Sequence, residues 1–133
     1  MRVMLDTDMC IYLIKKRPAQ VERRFREHEP FEIGISTITL AELEFGIAKS
    51  SRPEQNRDAL LGFLAPLEIA AFGDRAAFHY GEIRATLEKK GNPIGSMDLM
   101  IASHARSLSV PLVTNNIREF KKVPGLKVEN WLA

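Results

Sequence analysis

Four side chains of the kind that hold divalent metals, or finish a site that does, stand where apolar runs give way to polar sequence. Asp6 follows Val3–Leu5, Glu42 lies beyond the Phe31–Ile35 run, Asp98 follows the Gly91–Gly95 break and Asn116 follows Val110–Val113. Open α/β sheets assemble ligand sites at such strand ends. Carboxylate oxygens are hard ligands suited to Mg²⁺ or Mn²⁺, ions that keep several waters and accept substrate phosphate oxygens. The three histidines, His28, His79 and His104, show no HExxH spacing, and neither a GxSxG elbow nor a glycine-rich phosphate loop is present. A metal-activated water is left as the nucleophile.

Each of these residues also has a structural reading. Asp8 sits closer than Asp6 to the start of the first helix and is expected to cap it. Glu42 comes three residues after Thr39, the spacing of a capping box. Asp98 falls two residues after Ser96, in a first helical turn where the helix dipole favours an acid. Asn116, beside Asn115, suits a turn or the cap of the segment ending at Glu119 and Phe120. Their coincidence at one sheet edge tells more than any one of them. His104 continues an apolar stripe and reads as a core or boundary histidine.

The elements that must position these residues follow from periodicity and from proline and glycine punctuation. Strands are expected at Val3–Leu5, Phe31–Ile35, Leu67–Phe72, Val110–Val113 and Leu126–Val128. Helices are expected over Met9, Tyr12 and Leu13, from Pro18 to about Glu29, over Leu40, Leu43 and Ile47, and from about Glu54 to Leu64. Asp74 is expected to cap a long helix bearing Ala76, Tyr80, Ile83 and Leu87. Another helix carries Met97, Met100, Ile101, Ala105 and Leu108, and a short one covers Arg118–Lys122. Alternation of this kind gives an α/β fold, a mostly parallel sheet with helices on both faces.

With 133 residues, 45% of them hydrophobic, the chain supports one core rather than two, so a single domain spanning 1–133 is expected. One cysteine, Cys10, excludes an internal disulfide framework or Cys-based zinc site and favours a reducing, cytoplasmic setting. No apolar run approaches the roughly 20 residues that cross a bilayer. Net charge is +2, but basic residues cluster at Lys15–Arg17, at Arg23, Arg24 and Arg26, at Lys89–Lys90 and at Lys121–Lys122. They read either as solvated helix faces or as an RNA footprint around the acids, the metal reconciling carboxylates with phosphate.

Taken in order, MLDTD, STITLAELEFG (Ser36–Gly46), GNPIGSMDLMIASHA (Gly91–Ala105) and VTNNIREF (Val113–Phe120) make the whole chain resemble the PIN-domain ribonucleases of the VapC toxin type. The resemblance implies a PIN-like fold and hydrolysis of RNA phosphodiester bonds with one or two Mg²⁺ or Mn²⁺ ions. It carries the family's acids onto Asp6, Glu42 and Asp98, with Asp6 and Asp98 as principal metal ligands and Glu42 a ligand directly or through water. The fourth site position falls on Asn116, where many relatives have Asp, and Thr114 and Glu119 match polar pocket positions. Asp8 departs from the family's usual Asn. The resemblance further implies a cognate VapB-type antitoxin, a homodimer and a structured tRNA loop as substrate, with the initiator tRNA anticodon region leading. Apolar helix faces near Tyr12 and Phe45 are candidates for the antitoxin groove, although core packing is the expected role of Phe45.

Two other classes compete. A haloacid-dehalogenase-like phosphatase would use Asp6 and Asp8 in a DxDx(T/V) motif, but Cys10 occupies its last position. A catalytically silent PIN-like interaction module would keep the fold without the chemistry, and Asn116 is its best support.

Overall fold

The computed structural model describes residues 1–132; Ala133, the end of the expected 1–133 domain, lies outside the described residues. The chain runs β1 (Val3–Leu5), α1 (Thr7–Ile14), α2 (Ala19–Arg26), β2 (Ile33–Ser36), α3 (Thr37–Ala48), α4 (Pro53–Leu64), β3 (Glu68–Ala70), α5 (Asp74–Lys89), α6 (Ser96–Leu108), β4 (Leu112–Val113), α7 (Ile117–Phe120) and β5 (Val128–Glu129). The strands form one sheet in the order β3-β2-β1-β4-β5, and every pairing is parallel.

Strand side chains alternate between faces, and the packing follows that period. Val3 and Leu5 of β1, Ile33 and Ile35 of β2 and Val113 of β4 join Met9, Leu13, Val21, Leu43, Ile47 and Leu60 in the core beneath α1–α4. Met4 and Leu112 face the other way, onto Ile83, Leu87, Leu99, Ile101, Ala102, Ala105 and Phe120 of α5–α7. The middle strand thus serves two cores, which is why Val3–Leu5 is apolar at every position. Gly34 marks a close approach: a β-carbon there would meet the Glu68 carbonyl at 2.8 Å and collide with the Met1 side chain. Trp131, fully buried, closes the α1–α4 core.

Three details differ from expectation. Asp74 is the first residue of α5, and the cap position belongs to Gly73, which offers no side chain. Of the expected α6 stripe, Ile101 and Ala105 are buried but Met97 and Leu108 are exposed; the buried face runs through Leu99, Ala102 and His104 instead. Phe45 is not a core residue: at 65% exposure its ring lies open on α3, because Leu43 and Ile47 already fill the face turned toward α1 and α4.

Candidate active site

Because β1 is so short, Asp6 leaves the sheet immediately after Leu5, yet its backbone N–H still donates to the Val113 carbonyl at 3.1 Å. Its extended backbone begins α1, and its carboxylate accepts from the Met9 N–H at 2.9 Å. Asp6, not Asp8, is therefore the cap. The helix starts at Thr7, so the residue before it holds the geometry that points a side-chain oxygen at the orphan N–H groups. Asp8 is left in the first turn, exposed.

Leu5 pairs with Val113, so the next residues, Asp6 and Thr114, emerge side by side. Buried Thr114 stands beside Asp6, where its hydroxyl favours the charged carboxylate, and accepts from the Asn116 N–H at 2.9 Å. Asn116 stands at the cap position of α7, but its side chain makes no capping bond and is exposed. The neighbouring amide, Asn115, donates to the Tyr12 hydroxyl at 3.4 Å.

Glu42 does not complete a capping box. Ser36 caps α3, its Oγ accepting from the Ile38 N–H at 3.0 Å, while Thr39 is fully buried one turn in. The Glu42 carboxylate instead accepts from the Thr7 hydroxyl at 2.5 Å. Sequence reasoning passed over Thr7. The available signal was a hydroxyl in the first turn of a helix whose cap is itself a site acid. Asp98 sits half-buried in the first turn of α6, which runs back into β4 through a left-handed turn at Ser109. Its start therefore lies toward the edge where the strands end. Glu119 completes the rim and pairs with Lys122 Nζ at 3.2 and 3.3 Å.

A second buried link sets the helices that carry these acids. His104 Nδ1 lies 2.7 Å from Ser36 Oγ, and its ring meets Phe72 edge-on. Burial pushes the imidazole below its ordinary range, so it is neutral near pH 7. The start of α3 and the middle of α6 are joined by this contact, which bears out the core reading of His104.

Burial raises the Asp6 carboxyl to about 6. Thr114 and Met9 hold it down, while Asp8 and Asp98 push it further up. Asp98 is raised by burial first and then by Glu42, Asp8 and Glu119. The acids expected from sequence are thus close enough to feel one another, and among the described residues neither Asp6 nor Asp98 has a cationic side chain as an ion-pair partner. No three of the described acidic, histidine or cysteine side chains stand in a closed metal cage. Glu42 is engaged with Thr7 instead. The donor set still fits a hard divalent cation: all oxygen, one carboxylate buried and fixed, the others half-buried.

The PIN domain family matches residues 3–126. The chain belongs to the VapC proteins of the PIN-domain family. It is 44% identical to the tRNA(fMet)-specific endonuclease VapC of Salmonella typhimurium over 98% of both chains. It is 48% identical to Ribonuclease VapC2 of Rickettsia felis over 96% of both. Among solved structures, it superposes on DNA-bound VapBC from Salmonella typhimurium with a TM-score of 0.94, at 44% identity and 98% coverage of both chains. VapBC2 of Rickettsia felis bound to a promoter DNA fragment gives 0.91 at 46% identity, covering 98% of this chain and 99% of that one. The VapC fold, an α/β fold with helices on both faces of a parallel sheet, is the one expected from the motifs. No helix is long and apolar enough to cross a membrane among the described residues.

Proposed function

We propose that this chain is the toxin of a toxin–antitoxin pair and a metal-dependent endoribonuclease, with Asp6, Glu42, Asp98 and Asn116 as its site. The observation that carries this reading is a buried, uncompensated carboxylate, Asp6, at a strand end, with Asp98 close enough to raise it and Glu42 close enough to raise Asp98. It occurs in a chain that matches a tRNA(fMet)-specific endonuclease over almost its full length.

Asp6 and Asp98 would hold Mg²⁺ or Mn²⁺, with Glu42 nearby; the ion would supply an activated water and stabilise the leaving oxygen. The chain's own residues do the positioning. Asp6 is held by the Met9 N–H and lies beside the Thr114 hydroxyl, which orients its carboxylate at the strand end. Glu42, steered by Thr7, is the carboxylate free to take a proton from the attacking water. Asn116 presents a neutral amide that can donate to a phosphate oxygen, and Asp8 and Glu119 supply peripheral negative charge. The leading substrate is a tRNA loop, the initiator tRNA anticodon region first, because splayed loop bases and phosphates are the parts of RNA a protein reaches most easily.

The partner reading rests on a groove of about 290 Å³ between α1, α3 and α4, lined by Ile11, Ile14, Leu43, Ile47 and Leu60, with Glu42 at one side. An amphipathic helix of a VapB-type antitoxin fits such a groove, and a basic residue on it would reach Glu42. Phe45 and Leu61 of α3 and α4 are exposed as well, outside the lining of this groove. A homodimer in the cytoplasm completes the reading, to be checked by light scattering of the purified chain.

The deciding experiment incubates purified protein with total RNA in chelator, in Mn²⁺ and in Mg²⁺, followed by sequencing of fragment 5′ ends. Cleavage should require the metal and disappear in Asp98→Asn. Metal-independent cleavage by protein free of contaminating nuclease, or full activity of that variant, overturns the site assignment.

A further inference from the structure

Outside the acidic site, the last turn of α1 combines an aromatic ring, unpaired cations and a backbone conformation that its sequence does not favour. Ile11, Tyr12, Lys15, Arg17 and Pro18 line a depression of about 340 Å³. Lys15, Lys16 and Arg17 are exposed, and among the described residues none of them pairs with an acid.

The turn itself holds ring and cations together. The Lys16 N–H bonds to the Leu13 carbonyl and the Arg17 N–H to the Tyr12 carbonyl, both at 3.1 Å. This is the paired pattern that ends a helix with a left-handed residue. Here that residue is Lys16, with φ of 56°, at a position where glycine carries no steric penalty. A strained lysine between two further cations is an outlier that asks for a functional account.

The depression lies along α1 from the site. Asp8 and Tyr12 are four residues apart and share a face of α1, and Tyr12 touches Asn115, next to Asn116. From Asp6 to Tyr12 is six residues, about 9 Å along the helix, a span on the scale of one or two nucleotides. Along that face the charge changes from acidic at Asp8 to basic at Lys15 and Arg17.

We propose that this depression is a subsite for a nucleotide flanking the scissile phosphate: a base stacks on Tyr12, and Lys15 and Arg17 hold the phosphates beyond it. The proposal rests on the ribonuclease reading above. It assigns the Tyr12 face of α1 to RNA; the groove given to the antitoxin adjoins it, with Ile11 and Lys15 on the edge the two share. Stacking on an aromatic ring tolerates any base, so this subsite adds affinity and direction rather than sequence choice.

The test uses the full chain with Mn²⁺ and a fluorescein-labelled initiator tRNA anticodon stem-loop as substrate. Binding is measured by anisotropy in an Asp98→Asn background that does not cut. Tyr12→Leu should raise KM and Kd by about tenfold while kcat changes by less than about twofold. Tyr12→Phe, which keeps the ring, should behave as wild type. The double variant Lys15→Ala/Arg17→Ala alters only exposed side chains and does not threaten the core. It should weaken binding at low salt and reduce the slope of log Kd against log salt by about 1.4, two phosphate contacts of about 0.7 each for a single strand.

Unchanged KM and salt slope in a protein that cuts RNA overturn the subsite while leaving the nuclease reading intact. A wild-type chain that cuts no RNA removes the nuclease reading itself. If Tyr12→Phe fails as badly as Tyr12→Leu, the hydroxyl contact and not stacking is at work, and the stacking proposal falls. If the variants lose only a co-expressed VapB partner, this face is a protein contact and the proposal falls as well.

Discussion

Asp6→Asn tests the electrostatics of the site without any assumption about substrate. In the fold the carboxyl is raised from its ordinary 3.8 to about 6. At about 1.4 kcal/mol for each tenfold, ionised Asp6 therefore costs the folded chain about 3 kcal/mol at pH 8. The sign follows from the direction of the shift. A raised carboxyl contributes stability that is fully present below about 3.8 and is lost as pH rises through about 6. Asparagine removes the charge and still caps, since Asn and Asp serve equally at that position, so the Met9 N–H keeps its acceptor. Its amide does not match the Thr114 hydroxyl as well, which takes back about 1 kcal/mol. The net gain is about 2 kcal/mol. With an unfolding entropy of about 2.1 cal/mol/K per residue, 133 residues turn this into a Tm about 7 °C higher in chelator at pH 8. Scanning calorimetry at pH 8 and pH 4 is the assay, and at pH 4 the advantage should vanish or reverse. Saturating Mn²⁺ at pH 8 should also reverse the order, because only the wild type binds it well. A variant that melts at or below the wild type in chelator at pH 8, or a difference independent of pH, refutes the account of Asp6 as an uncompensated buried charge.

Thr7→Val should lower kcat by about tenfold with little change in KM, and Thr7→Ser should restore it, because only the hydroxyl holds Glu42; steady-state cleavage of the oligonucleotide reads both. Lys16→Gly should raise stability by about 1 kcal/mol in urea denaturation by relieving the left-handed residue. A loss of stability would mean that the Lys16 turn is unstrained. Asn116→Asp should tighten Mn²⁺ binding in the absence of RNA, since an added carboxylate attracts the cation. Equal affinities by titration calorimetry would place residue 116 beyond the ion's reach and leave it a turn residue.

Element order, the parallel sheet and the shared edge of Asp6, Glu42, Asp98 and Asn116 were legible in the sequence because apolar period and strand-end polarity are local signals. Strand ends were less so: Val110 and Pro111 precede β4, and Leu126 precedes β5, since apolar residues pack outside the hydrogen-bonded ladder as well as within it. What stayed hidden depended on register and on hydrogen-bond competition. Asp6 and Asp8 offer the same carboxylate to the same helix, and only the starting residue, fixed by the length of β1, decides between them. Thr39 and Glu42 have capping-box spacing, but Ser36 begins the helix one turn earlier and leaves Glu42 to Thr7. Phe45 looked like core because it is aromatic, whereas the geometry of α3 gives the inward face to Leu43 and Ile47.

β1 belongs to both hydrophobic cores, and this determines where the molecule opens last. Amides of Met4 and Asp6 donate to the Pro111 and Val113 carbonyls at 2.9 and 3.1 Å, and releasing them exposes apolar surface on two faces at once. In native-state hydrogen exchange these amides should open only with global unfolding, while the exposed turn after α1 exchanges through local fluctuation. The residue proposed to fix the metal thus directly follows the strand expected to open last, and the cations proposed to meet RNA, Lys15 and Arg17, lie just past the far end of α1, where exchange is expected to be local.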